Sequence, residues 1–151
     1  MSQPQLVDCL VCQEHDGRVP IPGGHLIATE HVVAFHLPPM PNAVEPYLGY
    51  LFVTSRRHVP SFAELNPDEA AAMGVAISKL SAALKAEGAE PVYIAGIGHA
   101  VPHLHLHLIP RWPETPAETS WINVSEWEGA RRGDAEAVEE WTIRLRNRIN
   151  S

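Results

Sequence analysis

The chain has 151 residues, of which 45% are hydrophobic and 19% are charged, and its formal net charge is -7. This length and composition are typical of a folded domain with a substantial core and exclude a disordered chain, so we expect a single domain over residues 1–151. The negative charge argues against a surface that coats nucleic acid, and the expected partners are small molecules.

The amino-terminal sequence carries no targeting signal. Residues 1–7 lack a basic region followed by an apolar run, and the chain contains no stretch of about 18 consecutive apolar residues. We therefore expect a cytoplasmic protein without a membrane partner. Cys9 and Cys12 are the only cysteines. In a reducing compartment, their Cys-x-x-Cys spacing indicates half of a metal site or a redox pair rather than a structural disulfide.

Alternating and β-branched stretches predict five strands, with one long helix between the third and the fourth. The predicted strands span residues 25–29, 31–36, 47–54, 92–97 and 103–109. Two proline-rich segments, 37–46 and 110–116, are expected to be shaped loops that flank functional strands. Together these elements predict an α+β fold with an antiparallel meander sheet.

The long helix has clear end signals. Asn66 is the predicted N-cap, Pro67 suits the first helical position, Glu69 completes a capping box, and Gly88 ends the helix. Its apolar stripe, which should cover one face of the sheet, consists of Met73, Ile77, Leu80 and Leu84. A second, C-terminal helix is predicted over residues 134–149, with Val138, Trp141, Leu145 and Ile149 on its apolar side.

The predicted last strand, residues 103–109, is the strongest indication of a functional site in the sequence. His103, His105 and His107 alternate with leucines. Every second side chain of a strand faces the same side, so neighbouring histidines would lie about 7 Å apart and could hold one phosphate or metal together. An inert outer face would carry Thr, Lys or Glu instead. We therefore interpret this pattern as a chemical site.

The run from His103 to Ile109 resembles the signature of the histidine triad (HIT) family, and the following Pro-Arg pair resembles its bacterial hydrolase branch. Residues 9–12 are similar to the amino-terminal metal knuckle of zinc-bearing members, and residues 49–58 are similar to the strand and basic turn of the family. The resemblance implies an HIT-like fold and a homodimer whose two sheets join.

The resemblance also implies an activity. It indicates a hydrolase or nucleotidyltransferase that cleaves a phosphoanhydride or phosphoramidate of a nucleotide, such as a dinucleoside polyphosphate, with no organic cofactor. By the family pattern, His105 is the nucleophile that forms a covalent intermediate, and His107 contacts the phosphate oxygens. Neutral imidazole suits this role, because one ring nitrogen attacks while the other keeps its proton.

A structural zinc ion follows from the same resemblance. In zinc-bearing relatives, the two remaining ligands are a histidine after the basic turn and the first triad histidine, which correspond to His58 and His103. With Cys9 and Cys12 they would complete a tetrahedral site. The metal would tie the amino-terminal arm to the last strand and orient His103 without entering the reaction.

Two departures from the family pattern concern residues beside the triad. Tyr50 follows Gly49 where relatives usually have a histidine. Its hydroxyl can donate to a phosphate or to an imidazole, but a pKa of about 10 opposes proton shuttling at neutral pH. His99 stands where many relatives carry glutamine, and it either donates to the leaving group or is an ordinary loop histidine.

A third departure concerns the sugar contact. Leu37 follows the Ala-Phe-His run after which nucleotide-binding relatives present Asp or Asn. Asn42 could supply that contact from the loop; otherwise the preferred substrate is not a nucleoside. Arg111 either reaches an anionic substrate or is a surface residue.

Two other functions remain open at the level of sequence. One is a metal-dependent hydrolase in which His103, His105 and His107 are the catalytic ligands, although no acidic residue stands beside them between residues 100 and 111. The other is a module that binds a nucleotide without turning it over, which the departures at Leu37 and Tyr50 make credible.

Overall fold

Within residues 8–151 the fold is α+β, as the sequence predicts, with one open antiparallel sheet of five strands and three α-helices. The computed structural model describes residues 8–151, so the amino-terminal segment 1–7, where no targeting signal is expected, lies outside the described residues. The strands are β1 (Ile27–Ala28), β2 (Val32–His36), β3 (Leu51–Ser55), β4 (Val92–Gly96) and β5 (His105–Pro110). The helices are α1 (Leu10–Asp16), α2 (Pro67–Ala86) and α3 (Ala135–Ile149).

The strand order is β1-β2-β3-β5-β4, and every neighbouring pair is antiparallel. The first three strands follow one another as a meander. Helix α2 then carries the chain to the far edge, and β5 returns between β3 and β4. Because β5 is paired on both sides, its backbone is held along most of its length.

Helix α2 confirms the sequence prediction at both ends. The Asn66 side chain accepts from the backbone N–H of Glu69, and the Glu69 carboxylate accepts from the backbone N–H of Asn66, so the capping box is complete. The helix ends at Ala86, and Gly88 follows with φ 106°. Of the predicted stripe, Met73, Leu80 and Leu84 are buried, and Ile77 packs against the core at its margin.

The C-terminal helix is also confirmed, whereas α1 is not anticipated by the sequence analysis. Asp134 caps α3, and Val138, Trp141 and Leu145 face the core. Helix α1 has only seven residues, which is too short for a recognisable apolar stripe. In the described part of the chain, none of the helices combines the length and apolarity needed to cross a lipid bilayer.

Three of the predicted strands begin two or more residues too early. The strand predicted over 47–54 starts at Leu51, because Gly49 turns the chain with φ 91°. A Cβ at Gly49 would lie 2.6 Å from Trp112 Cζ2, so this close approach requires glycine. The strand predicted over 103–109 starts at His105. The strand predicted over 25–29 pairs only at Ile27 and Ala28, at the free edge of the sheet.

A buried histidine closes the turn before β3. His36 is 0% exposed; its Nδ1 donates to the Leu37 carbonyl at 2.8 Å, and its Nε2 accepts from the Gly49 N–H at 2.8 Å. Burial lowers the pKa of His36 to about 4. The neutral ring therefore satisfies both of its nitrogens and fixes the backbone that leads into Tyr50.

We expect this histidine to weaken the fold in acid. In the unfolded chain His36 binds a proton below pH 6.5, while the folded protein excludes that proton until about pH 4. Stability is therefore lost as the pH falls through this window, by roughly 3 kcal/mol from this group. Urea unfolding at pH 7 and pH 4.5 should show a smaller acid loss in His36→Leu than in the wild type. Equal losses in the two proteins would contradict the assignment.

Candidate functional site

Two of the three triad histidines lie side by side on one face of β5. The rings of His105 and His107 have centroids 5.1 Å apart, and Phe52 of β3 lies opposite His107 on the same face. Leu106 and Leu108 point to the other face, where they are buried in the core. The predicted alternation of histidines and leucines is therefore confirmed for residues 105–108, with the imidazoles on one face of β5 and the leucines packed into the core on the other.

His103 precedes the strand, which corrects the predicted start at this residue. The following Leu104 donates its N–H to the Val59 carbonyl at 2.7 Å, outside the β5 ladder. The His103 ring is 0% exposed, and its Nε2 lies 2.7 Å from the Ser55 carbonyl oxygen. Since a carbonyl only accepts, Nε2 carries the proton and Nδ1 keeps a lone pair.

The tautomer of His105 is fixed by its own backbone. Nδ1 of His105 lies 2.6 Å from the carbonyl oxygen of His103. This nitrogen must donate, so the ring proton is on Nδ1 and Nε2 carries the free lone pair. An imidazole in this form can attack an electrophile through Nε2 or accept a proton there.

His107 is held by a tyrosine. The Tyr50 hydroxyl oxygen lies 2.7 Å from Nδ1 of His107. Burial raises the pKa of Tyr50 to about 12, so the hydroxyl keeps its proton at neutral pH. Burial, followed by the charge of His105, lowers the pKa of His107 to about 4. Nε2 of His107 is buried without a hydrogen-bond partner among residues 8–151, which leaves this nitrogen to interact with a ligand.

Cys9, Cys12, His58 and His103 form a compact ligand set, with one donor atom of each within 4.8 Å of the others. Each thiol sulfur is 3.5 Å from Nδ1 of His103. Nδ1 of His58 is 3.4 Å from the Cys12 sulfur and 3.2 Å from Nδ1 of His103. Tetrahedral zinc with ordinary bond lengths requires S···N edges of about 3.5 Å and N···N edges of about 3.3 Å. The residues therefore fit a zinc ion.

The surroundings of this cluster also suit a cation. Burial, followed by the hydrogen bond and charge of Cys9, raises the pKa of the Cys12 thiol to about 12, and a divalent cation would stabilise the thiolate instead. The Cys9 sulfur accepts from the Cys12 N–H at 3.4 Å and so caps α1. The hydrogen bond from His103 to Ser55 holds the ring that would ligate the metal.

A cavity of about 160 Å³ is lined by His105 and by nine other residues, which belong to α1, β2, β3 and two loops. Its walls are mostly apolar and include the rings of Phe35 and Phe52. Glu14 of α1 also lines it, although this residue is only 4% exposed. Burial raises the pKa of the Glu14 carboxyl to about 7.

The sequence analysis misses Glu14 and His15, because neither belongs to a recognisable motif. His15 donates from Nε2 to the Thr54 hydroxyl at 2.7 Å, and its ring packs edge-on against His103 at 5.2 Å between centroids. Burial lowers the pKa of His15 to about 3. The one sequence feature that could have identified either position is a polar residue on the side of α1 that faces the sheet. Because the sequence does not predict α1, this feature could not be recognised.

None of the remaining candidate residues is among those that line the cavity beside His105. His99 is exposed in the loop between β4 and β5, and Asn42 is exposed in a tight turn with φ 61°. The loop that contains Asn42 lines a second cavity, of about 280 Å³, which Tyr50 also lines. The Arg111 guanidinium donates to the Tyr93 hydroxyl and to two carbonyls of the loop after β5, so its contacts are internal.

The sequence matches one known protein family over most of its length. The model of the HIT domain matches residues 21–114, a segment that includes β1 to β5 and the triad. No curated protein is significantly similar to the chain in sequence.

Solved structures share the whole fold. A zinc-bound histidine triad family protein from Mycobacterium smegmatis is 19% identical, with a TM-score of 0.68 over 96% of this chain and 95% of the other. A Hit-like protein involved in cell-cycle regulation from Bartonella henselae is 18% identical, with a TM-score of 0.68 and coverage of 93% and 96%. A HIT family protein from Bacillus anthracis is 27% identical, with a TM-score of 0.57 and coverage of 71% and 75%.

Proposed function

Because the chain belongs to the HIT domain family, whose functions are in general nucleotide binding and hydrolysis, we propose that it cleaves a nucleotide phosphoanhydride or phosphoramidate through a covalent intermediate on His105. The observation that carries the proposal is the 2.6 Å contact between His105 Nδ1 and the His103 carbonyl. This contact directs the lone pair of Nε2 away from the backbone, where it can meet an electrophilic phosphorus.

The reaction has two displacement steps at phosphorus. Attack by Nε2 of His105 forms a P–N bond as the bond to the leaving group breaks. The proton on Nδ1 stays in its hydrogen bond with the His103 carbonyl, which stabilises the positive charge that develops on the ring. The leaving group takes up a proton from solvent as it departs. Water then attacks the same phosphorus, breaks the P–N bond to release neutral His105, and gives up one proton to solvent. In transfer rather than hydrolysis, another acceptor replaces water.

His107 has a supporting role in this proposal. We propose that the Tyr50 hydroxyl, 2.7 Å from Nδ1 of His107, donates to it, which places the ring proton on Nε2. That N–H is the donor that would bind a non-bridging phosphate oxygen, and the absence of a protein partner for it within residues 8–151 supports this role. Tyr50 is then a positioning residue, which replaces the usual histidine without shuttling protons.

We further propose that Cys9, Cys12, His58 and His103 hold a structural zinc ion. A bound zinc ion supplies cross-linking strength and no chemistry to the reacting atoms. Through His103 it would fix the carbonyl that orients His105. Two residues of the amino-terminal arm would thus be tied to the strand of the proposed nucleophile.

The geometry weighs against a metal-dependent hydrolase built on the triad. Nδ1 of His103 is directed to the cysteines, and Nδ1 of His105 is used by a carbonyl. The one cluster of three or more metal-ligating side chains found in residues 8–151 is the cysteine cluster, which includes a single triad histidine. A nucleotide-binding module without turnover is the second candidate, favoured by Tyr50 in place of histidine.

Several further expectations belong to this proposal. We propose that the chain is a single domain that acts as a homodimer in the cytoplasm on a small phosphorylated substrate. The exposed apolar residues Ile94 on the edge strand β4 and Ile97 just after it are compatible with a second copy at this edge. His99, Asn42 and Arg111 are further proposed substrate contacts, and Arg111 would have to give up internal hydrogen bonds to make one.

The covalent step can be tested by rapid quenching with a labelled nucleoside phosphoramidate. We expect a labelled, acid-labile and base-stable protein adduct in the wild type, and none in His105→Ala, because His105 lines the cavity and its Nε2 carries a lone pair rather than a proton. His31→Ala, which alters a histidine remote from the triad, should form the adduct normally. Nucleotide binding without adduct or turnover would establish the binding module instead.

The role of Tyr50 predicts a loss of rate rather than of affinity. Tyr50→Phe removes one hydrogen bond and frees His107 to change tautomer, so kcat should fall about tenfold with little change in KM. Tyr93→Phe, which removes a hydroxyl on the edge strand, is the matched control. An unchanged kcat in Tyr50→Phe, or equal losses in the two variants, would exclude the positioning role. Nitrogen chemical shifts of His107 should report the tautomer directly.

Metal analysis tests the zinc site. The wild type should contain about one zinc per chain, and Cys9→Ser and His58→Asn should lose most of it, because each removes one of four ligands. His31→Ala should retain the metal. Chelation should lower the melting temperature of the wild type by several degrees. Equal zinc contents in wild type and Cys9→Ser would refute the site.

A further inference from the structure

The cavity beside His105 has the size and walls of a ring-binding site. Its volume is about 160 Å³, and an apolar cavity of about 150 Å³ holds one benzene molecule. Phe35 and Phe52 contribute aromatic rings to its wall, and Met40 contributes a flexible thioether. Such walls accept a flat ring by stacking and by van der Waals contact.

Glu14 is the exception in this wall. Apart from His105 it is the only ionisable residue among those that line the cavity. It is 96% buried, since its exposed fraction is 4%, and its carboxylate makes no hydrogen bond or ion pair within residues 8–151. An unpaired buried carboxyl is costly, and a residue of this kind beside a reactive group is a candidate for ligand recognition.

Helix α1 places this side chain on the side that faces the sheet. Leu10, Val11 and Glu14 are spaced three and four residues apart around the first turns, and all three line the cavity. A leucine or isoleucine at position 14 would complete an apolar wall. The sequence instead places a glutamate at this position, and its carboxylate has two oxygens that accept hydrogen bonds.

We propose that Glu14 determines specificity: its carboxylate selects a substrate whose ring presents adjacent hydrogen-bond donors, as guanine does with N1–H and N2–H₂. This inference rests on the proposed function, because it assumes that the ring belongs to the nucleotide whose phosphorus meets His105. A carboxylate accepts two parallel N–H bonds, and these bonds also supply the partners that the carboxyl lacks in the protein.

The chemistry of the pocket favours this class over other rings. A ring without donors would leave the Glu14 carboxyl buried and unpaired, and a site built to hydrogen-bond its substrate rejects an analogue that lacks the matching groups. Hypoxanthine offers only one of the two donors. Unsubstituted purine offers neither, although its shape and stacking surface are similar. The three bases therefore form a graded series of probes.

The test is equilibrium binding of guanosine, inosine and purine riboside 5′-monophosphates, measured by calorimetry. In the wild type, guanosine monophosphate should bind about 10- to 100-fold more tightly than the purine riboside monophosphate, with inosine monophosphate between them. Glu14→Leu should reduce this preference to within about threefold, and Glu14→Gln should reduce it about tenfold. Glu136→Gln, an exposed acid in the first turn of α3, should preserve it.

Folding of the variants is checked by thermal melting. Glu14→Leu should melt no lower than the wild type, because it replaces an unpaired buried carboxyl with an apolar side chain in an apolar wall. A preference that survives in both Glu14 variants, or equal affinities of the wild type for the three nucleotides, would overturn the inference. Absence of nucleotide binding to the wild type would also overturn it.

The outcomes for the two proposals are separable. A covalent adduct on His105 with no base preference would leave the proposed reaction intact and refute the role of Glu14. A guanine preference that depends on Glu14, without adduct or turnover, would support the recognition site and refute the reaction.

Discussion

The arrangement of this site depends on one hydrogen bond, from Nδ1 of His105 to the carbonyl of His103. It is a bond between residues two positions apart, so it needs no distant partner, but it does need a fixed carbonyl. The backbone at residue 103 is fixed from two sides. Leu104 bonds to Val59 and Ser55, and the His103 ring bonds to the Ser55 carbonyl. A site that forms a covalent bond at one ring nitrogen gains its precision from this backbone constraint.

One face of β5 stabilises the fold, and the other carries the imidazoles of the proposed reaction. Leu106 and Leu108 are buried with helix α2 on one side, which anchors the strand in the core. On the other side, burial keeps His107 neutral and Tyr50 protonated, so the polar groups near His105 act as hydrogen-bond donors and acceptors rather than as charges. Since the strand is paired on both edges, a displacement of either histidine would require the sheet to distort. Each imidazole is also held by its own hydrogen bond, to the His103 carbonyl for His105 and with the Tyr50 hydroxyl for His107.

Sequence reasoning succeeded where a local rule decides the structure. The capping box at Asn66 and Glu69 needs only residues three apart. No local rule brings Cys9, Cys12, His58 and His103 together; a family pattern predicted this cluster, and the zinc ion that it would hold stays a prediction. Sequence reasoning failed where tertiary contacts decide. The turn at Gly49 depends on the approach of Trp112, and α1 has too few residues for a periodic pattern. The burial of Glu14 depends on which strands and loops pack against α1, and the sequence around residue 14 does not specify these contacts.

Two polar side chains outside the triad lie near His105. Tyr50 and Glu14 both lie on the side of the sheet that carries His105, and each introduces an oxygen next to the proposed reaction centre. Neither changes the hydrogen bond that fixes the tautomer of His105, because that bond uses only residues 103 and 105. The chemistry of the triad and the choice of substrate are therefore separable in this fold. Strand β5 and the cysteine cluster determine the proposed chemistry, while α1 and the loop after β2 determine the proposed choice of substrate. On the proposed function, a substitution at residue 14 would alter the ring that is accepted and leave His105 undisturbed.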